Sequence, residues 1–156
     1  MTFRRATLDD LEAVLSVIAR ADEEGGDWAP EDGSDADRRR VTELLAAPGH
    51  YNEVAEAAGG RVVGYVNIND RQGAAHLSYL FVDPDHQGRG IGTALMQRAL
   101  DDARRRGHVR ATLATAIQNP ARAFYEHAGW QDTGVRLRHE ALGLDMVHYA
   151  LDLRAS

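Results

Sequence analysis

The apolar positions of this chain alternate between two periods. Thr2 to Thr7 reads as a strand, and Thr7-Leu8-Asp9-Asp10 opens a helix. Its apolar positions, Leu11, Val14, Leu15 and Ile18, fall on one stripe, and it ends near Glu24-Gly25-Gly26. A second helix is expected from about Asp35 to Ala46, closed by Pro48-Gly49. Tyr51 to Ala57 and Arg61 to Asn69 read as strands joined by a turn at Ala58-Gly59-Gly60, the second a continuous apolar run expected at the centre of a sheet. Ala75 to Val82 is another buried strand, stopped by Asp83-Pro84-Asp85.

The set Ile91, Leu95, Ala99, Leu100 and Ala103 predicts a long helix, with Arg104 to Arg106 complementing its negative end and Gly107 stopping it. Val109 to Thr115 alternates as a strand. A short helix follows, with Asn119 as N-cap, Pro120 at its first position and Gly129 closing it. It places Ala121, Phe124 and Ala128 on one face and Gln118, Arg122 and Tyr125 on another, the expected site face. Gln131 to Arg138 and Leu144 to Leu153 are the last strands, joined by His139 to Gly143.

Between the strand at 75–82 and the long helix stand Gly88, Gly90 and Gly92, at every second position. A glycine-rich turn opening a helix leaves backbone N–H groups unpaired and lets an anion approach them, so it suits a phosphate. It is not a P-loop, since Thr93 follows Gly92 with no lysine. Nor is it a dinucleotide fingerprint, because the position for a third glycine or alanine holds Thr93 or Leu95.

The 156 residues suit one domain, 1–156. The absence of cysteine removes thiolate metal sites and any acyl-cysteine intermediate within this chain. A net charge of −6 argues against a nucleic-acid surface. No long apolar run or signal-peptide core is present, so the expectation is a cytoplasmic protein with no membrane partner. The histidines show no metal spacing, and no metal is expected. From Asp22 to Asp37 the chain is acidic and without periodicity around Trp28 and Pro30. It reads as a solvated loop or as a flap over a cationic substrate, with Trp28 and Asp27 as candidate substrate contacts.

Gln87-x-x-Gly90-x-Gly92 after Leu80-Phe81-Val82-Asp83-Pro84 resembles the pyrophosphate loop of the GNAT superfamily of acyl-CoA-dependent N-acyltransferases, of the form Gln/Arg-x-x-Gly-x-Gly/Ala. Phe124-Tyr125-Glu126-His127-Ala128-Gly129-Trp130 resembles that family's second motif, Asn-x-x-Ala-x-x-Phe/Leu-Tyr-Glu-x-x-Gly-Phe. Matching on Ala121 and Tyr125 puts Gln118, not Asn119, at the asparagine position, and either amide could contact the pantetheine arm. The element order matches from about Thr2 to Leu153.

The resemblance implies an α+β fold: a mixed, mostly antiparallel sheet flanked by helices and splayed between the strand at 75–82 and the strand at 109–115. Acetyl-CoA would lie in the gap as cosubstrate. Leu80, Phe81 and Val82 would hold the pantetheine, Gln87, Gly88, Arg89, Gly90, Ile91, Gly92 and Thr93 the pyrophosphate, with Gln118, Asn119, Arg122 and Tyr125 completing the site. Tyr125 stands where the family places its general acid. His76 occupies the place of a glutamate base in several members, and its reference pKa near ~6.5 suits proton acceptance. The implied function is transfer of an acetyl group to a primary amine, tilted by the acidic segment toward a small cationic acceptor. The alternatives are a non-catalytic acyl-CoA-binding or sensor module and a protein or peptide N-acetyltransferase. The oligomeric state stays open, a homodimer among those allowed.

Overall fold

The computed structural model describes residues 1–24, 34–140 and 143–154. The order is β1 (Thr2–Arg5), α1 (Leu11–Glu24), α2 (Ser34–Ala46), β2 (Tyr51–Glu56), β3 (Val62–Arg71), β4 (Ala74–Val82), α3 (Ile91–Arg105), β5 (Arg110–Ala116), α4 (Ala121–His127), β6 (Gln131–His139) and β7 (Leu144–Asp152). The strands form one seven-stranded sheet in the order β1-β2-β3-β4-β5-β7-β6, antiparallel except where β4 meets β5. The α+β architecture expected from the sequence is therefore the one observed.

Thr7 opens the first helical segment as read, but through a capping box with Asp10 on a short turn of 3-10 helix, Leu8–Asp10, that precedes α1. The acidic stretch is less of a loop than its composition suggests: Asp22 lies on α1, and Asp35 and Asp37 on α2. Trp28 and Asp27 lie outside the described residues.

The two faces of the sheet are covered differently. Val14 and Ile18 of α1 and Val41 of α2 pack with Val54 and Tyr65 on one face, joined by Tyr79 and Phe81. On the other face α3 buries Ile91, Leu95, Ala99 and Leu100 against Ala55, Val66, Leu77 and Leu113. Gly64 lets α3 come that close. A Cβ there would sit 2.9 Å from Leu95 Cδ1 and 3.3 Å from Ile91 Cγ2. Among the described residues no helix is long and apolar enough to cross a membrane.

Two irregularities of β4 position the site. Its parallel pairing with β5 is confined to Ala75↔Ala111 and His76↔Thr112, after which the strands part. Against β3, the register steps from Asn67↔Tyr79 to Ile68↔Leu77, leaving Ser78 without a partner, a β-bulge at the point of the fork.

Candidate active site

A cleft of about 430 Å³ opens on the α3 side of the fork, lined by Leu80, Val82, His86, Gln87, Gly88, Gly90, Ile91, Gly92, Thr93, Ala121 and Phe124. The chain builds it in two halves. Leu80, Val82, Ala121 and Phe124 make an apolar wall, and the glycine turn makes a polar floor at the N-terminus of α3. Gly88 and Gly90 have φ of +79° and +80°, which L side chains rarely adopt, and a Cβ at either would meet no protein atom within 4 Å. Both positions are bare backbone. Gly90 caps α3 in the left-handed region and, having no side chain, makes no side-chain cap to the first N–H groups of that helix. Gln87 Nε2 donates to Val82 O at 3.2 Å and so folds the turn back onto β4.

Most of the pyrophosphate positions read from the sequence are thus brought together. Arg89 is exposed and does not line the cleft. Phe81 faces the other way, stacking at 6.0 Å on Tyr79 beneath α1, because successive strand residues point to opposite faces.

The short helix α4 requires a correction. Ala121 and Phe124, read as the packing face, line the cleft, whereas Tyr125 turns into the core. Three aromatic contacts hold the Tyr125 ring: Phe124 at 5.4 Å and Trp130 at 6.2 Å, both edge to face, and Tyr149 at 6.5 Å. Burial pushes the phenol up to about 12, so it keeps its proton at neutral pH. Among the described residues it has no hydrogen-bond partner, yet its oxygen is not among the sealed, unpaired polar atoms. Its O–H therefore keeps access to the surface.

Arg122 is committed to structure: Nε donates to Tyr149 Oη at 2.9 Å and Nη1 to Ile117 O at 2.9 Å. Asn119 is also spent, accepting from the Ala121 N–H at 2.8 Å while donating to Thr115 Oγ1 at 2.7 Å. The reading of Asn119 as N-cap is shifted by one residue: α4 begins at Ala121 with Pro120 at the cap position, and Asn119 holds the Ala121 N–H from just outside, because proline has no side-chain acceptor to offer. Gln118 is exposed and borders a separate hollow with Arg138 and Asp145. None of these three lines the cleft.

His76 sits at the last paired rung before the fork, buried, with Nδ1 2.9 Å from Thr112 Oγ1 and Nε2 3.2 Å from Arg71 Nη1. Arginine cannot accept, so Nε2 is the acceptor and Nδ1 carries the proton and donates to Thr112. Burial pulls this histidine down to about 4, with further lowering from Arg71, His148 and Arg40. The reading of His76 as a base is corrected on this ground: the ring is neutral, but its lone pair is already used.

Two ends of the acidic segment, Asp22 and Asp37, gather on the α1–α2 face with Tyr79 and a set of asparagines that the sequence reading passed over. Tyr79 Oη donates to Asp37 Oδ1 at 3.0 Å. Burial pushes the Asp37 carboxyl up, and it pushes Asp22 up to about 6, helped by the charge of Asp37. Beside them runs a buried ladder. Asn69 Nδ2 donates to Ser78 Oγ and Asn67 Oδ1, Asn67 Nδ2 to Asn52 Oδ1, and Asn52 Nδ2 to Leu44 O, all at 2.7–2.9 Å. The last carbonyl orients every amide, and the chain of donors ends on the hydroxyl at the bulge. The signal was there in Asn67-Ile68-Asn69, a period-two polar face inside an apolar strand.

The Acetyltransferase (GNAT) family pattern matches residues 16–130 of the chain. The chain belongs to this family. It is 32% identical over 135 residues to an uncharacterized N-acetyltransferase of Escherichia coli, YjgM, covering 82% of this chain and 80% of that one. To the mycothiol acetyltransferase of Clavibacter sepedonicus it is 32% identical over 134 residues, 85% of this chain but 43% of that protein. The chain thus spans less than half of that relative. The solved structure of yncA from Salmonella typhimurium, with its cofactor acetyl-CoA, superposes with a TM-score of 0.72 at 26% identity, covering 98% of this chain and 94% of that one.

The residues of this GNAT chain fit coenzyme A. An apolar wall suits the pantetheine arm, and bare backbone at the positive end of a 15-residue helix suits a diphosphate. Among the described residues, no three His, Asp or Glu side chains come together to hold a metal.

Proposed function

We propose that the protein acetylates the amine of a small cationic acceptor, using acetyl-CoA held in the cleft between β4 and α3. The observation that carries this is the fork at Ser78. Next to the bulge, Tyr79 reaches from β4 to Asp37 on the face of the sheet opposite the cleft, where Asp22 stands close enough to feel its charge, and both carboxylates are half-buried. Burial, helped by the charge of Asp37, holds Asp22 up, and a cationic amine placed there offsets both, so the site selects positive charge. The coenzyme supplies a thioester carbonyl to which the amine nitrogen bonds as the carbon–sulfur bond breaks.

Each proton then has a place to go. Asp22 takes one proton from the ammonium and passes it to solvent, and the second amine proton leaves the tetrahedral adduct to solvent as the carbon–sulfur bond breaks. Tyr125 donates a hydrogen bond to the departing sulfur, which leaves as thiolate and takes its proton from solvent. With reference values near ~10 and ~8.5, a tyrosine outranks a thiol as a base once the thiolate has left, so its main service is a hydrogen bond to the sulfur as charge develops. Backbone groups freed where β4 leaves β5 supply fixed dipoles to the thioester oxygen.

The test is release of free thiol from acetyl-CoA by the purified protein with pooled polyamines, aminoglycosides, amino acids and short peptides. The chain has no cysteine to confuse the readout. Turnover confined to the polycationic pools supports the reading. Turnover only with neutral peptides overturns the choice of acceptor, and silence in every pool overturns the activity.

A further inference from the structure

The turn between β4 and the glycine loop holds a charged group that the acetyl-transfer reading does not use. Asp83 is buried, with 1% of its surface exposed. It is paired with Arg20 of α1, with Arg61 Nη2 at 3.1 Å from the start of β3, and with the backbone N–H of Asp85 at 2.9 Å. Arg20 also donates to Asp85 Oδ2 at 2.9 Å. Two carboxylates and two guanidiniums thus balance one another around the turn.

His86 stands against this set, its backbone N–H bonded to Asp83 O at 2.8 Å. Its Nδ1 is sealed from solvent, has no hydrogen-bond partner among the described residues, and lies 3.7 Å from Asp83 Oδ1. Part of the ring also forms the wall of the cleft beside Gln87 and Gly88. In neither neutral form is that nitrogen satisfied. A lone pair at Nδ1 faces a carboxylate, and an Nδ1–H is too far from it to make a good hydrogen bond. Arg20 and Arg61 already pair with Asp83 and Asp85, so an anion that pairs with the ring has to come from the cleft side. A diphosphate bound on the glycine turn is that anion.

We propose that His86 takes up a proton from solvent when the diphosphate of coenzyme A binds. Its Nδ1–H then closes onto Asp83 and its positive charge faces the phosphates. His86 is on this account a positioning residue, making cofactor binding proton-coupled and clamping the glycine turn through Asp83 to α1 and β3. No bond of the coenzyme is made or broken. Arg89, exposed on the same turn, is always charged and contributes no proton. The proposal rests on the acetyl-CoA reading, and its test separates the two.

Titration calorimetry of the full chain at pH 7.5, in buffers of low and high ionisation enthalpy, measures protons taken up on binding. Coenzyme A, dephospho-coenzyme A and pantetheine are compared, because the 3′-phosphate of coenzyme A itself titrates near ~6. Measurable proton uptake is expected with dephospho-coenzyme A as well as coenzyme A, and none with pantetheine. His86→Gln is expected to abolish the uptake and weaken coenzyme A about tenfold at pH 6.5, with a smaller loss at pH 8.5. Binding without proton uptake in the unaltered protein overturns the role of His86 and leaves the acetyl-CoA reading standing. The same uptake in His86→Gln assigns the proton elsewhere and also overturns it. No binding of coenzyme A at all overturns both.

Discussion

Arg71 donates a hydrogen bond to His76 Nε2 at 3.2 Å, and this contact decides what His76 is able to do. The guanidinium fixes the tautomer and occupies the lone pair, while burial, with the charge of Arg71 second, holds the imidazole down to about 4. His76 joins β4 to β5 through Thr112 at the last rung before they part. It belongs to the hinge of the fork rather than to its chemistry.

His76→Gln, whose amide can accept from Arg71, should therefore keep turnover within a few-fold. Its effect should appear in acid. The folded value is depressed below the unfolded one of ~6.5, so the contribution to stability is whole above that pH and is lost as pH falls through about 4. Denaturation midpoints from pH 7 to pH 4 should fall more steeply in the unaltered protein than in the variant, by on the order of 2 kcal/mol in total. Parallel curves would remove His76 as the acid-labile group, and a hundredfold loss of turnover would restore it as a base.

Tyr125→Phe should lower kcat by about a hundredfold or more and leave coenzyme A affinity unchanged, since the ring packs in the core and only the hydroxyl is lost. Binding by calorimetry and turnover by thiol release separate the two. Equal turnover would discard the phenol as donor to sulfur.

Asp22→Asn should raise KM for a cationic acceptor about tenfold or more, in line with the ~1.5–3 kcal/mol of a hydrogen bond to a charged group. It should also stabilise the fold at neutral pH. The Asp22 value is raised to about 6, so its contribution is whole below the unfolded ~3.9 and is lost as pH rises through 6. A permanently neutral amide escapes that loss. Melting temperatures should rise above pH 6 and match near pH 4, and an equal shift at both pH values would rule out titration as the cause.

Gly64→Ala and Gly90→Ala should fail in different ways. The first drives a methyl into buried Leu95 and should cost about 1–3 kcal/mol in denaturant unfolding, with coenzyme A affinity altered only through stability. The second meets no protein atom but forces a left-handed Cβ, costing about 1–2 kcal/mol, and places a methyl on the floor of the cleft. Its larger effect should be weaker coenzyme A binding. Equal affinity in Gly90→Ala and the unaltered protein would remove that turn from the cofactor site.

What the sequence by itself determined was local. Apolar period and stop signals located the strands and helices of the described residues to within a few positions, and the spacing of Gly88, Gly90 and Gly92 marked the floor of the cleft, because turn chemistry and helix starts depend on neighbours in the chain. Which face of a short helix lines the cleft did not follow. Over the seven residues of α4 the apolar and aromatic side chains occupy both sides, and only packing against Trp130 and Tyr149 decided that Phe124 lines the cleft while Tyr125 is buried beneath it.

The tertiary structure alone also decided the charges. Arg71 and His76 are near in sequence, but Thr112 and His148, which complete the environment of His76, arrive from β5 and β7. Asp22 and Asp37 come together only because α1 and α2 cross the same face above Tyr79. Titration follows burial and the nearest charges, and these are set by contacts between residues that lie far apart along the chain.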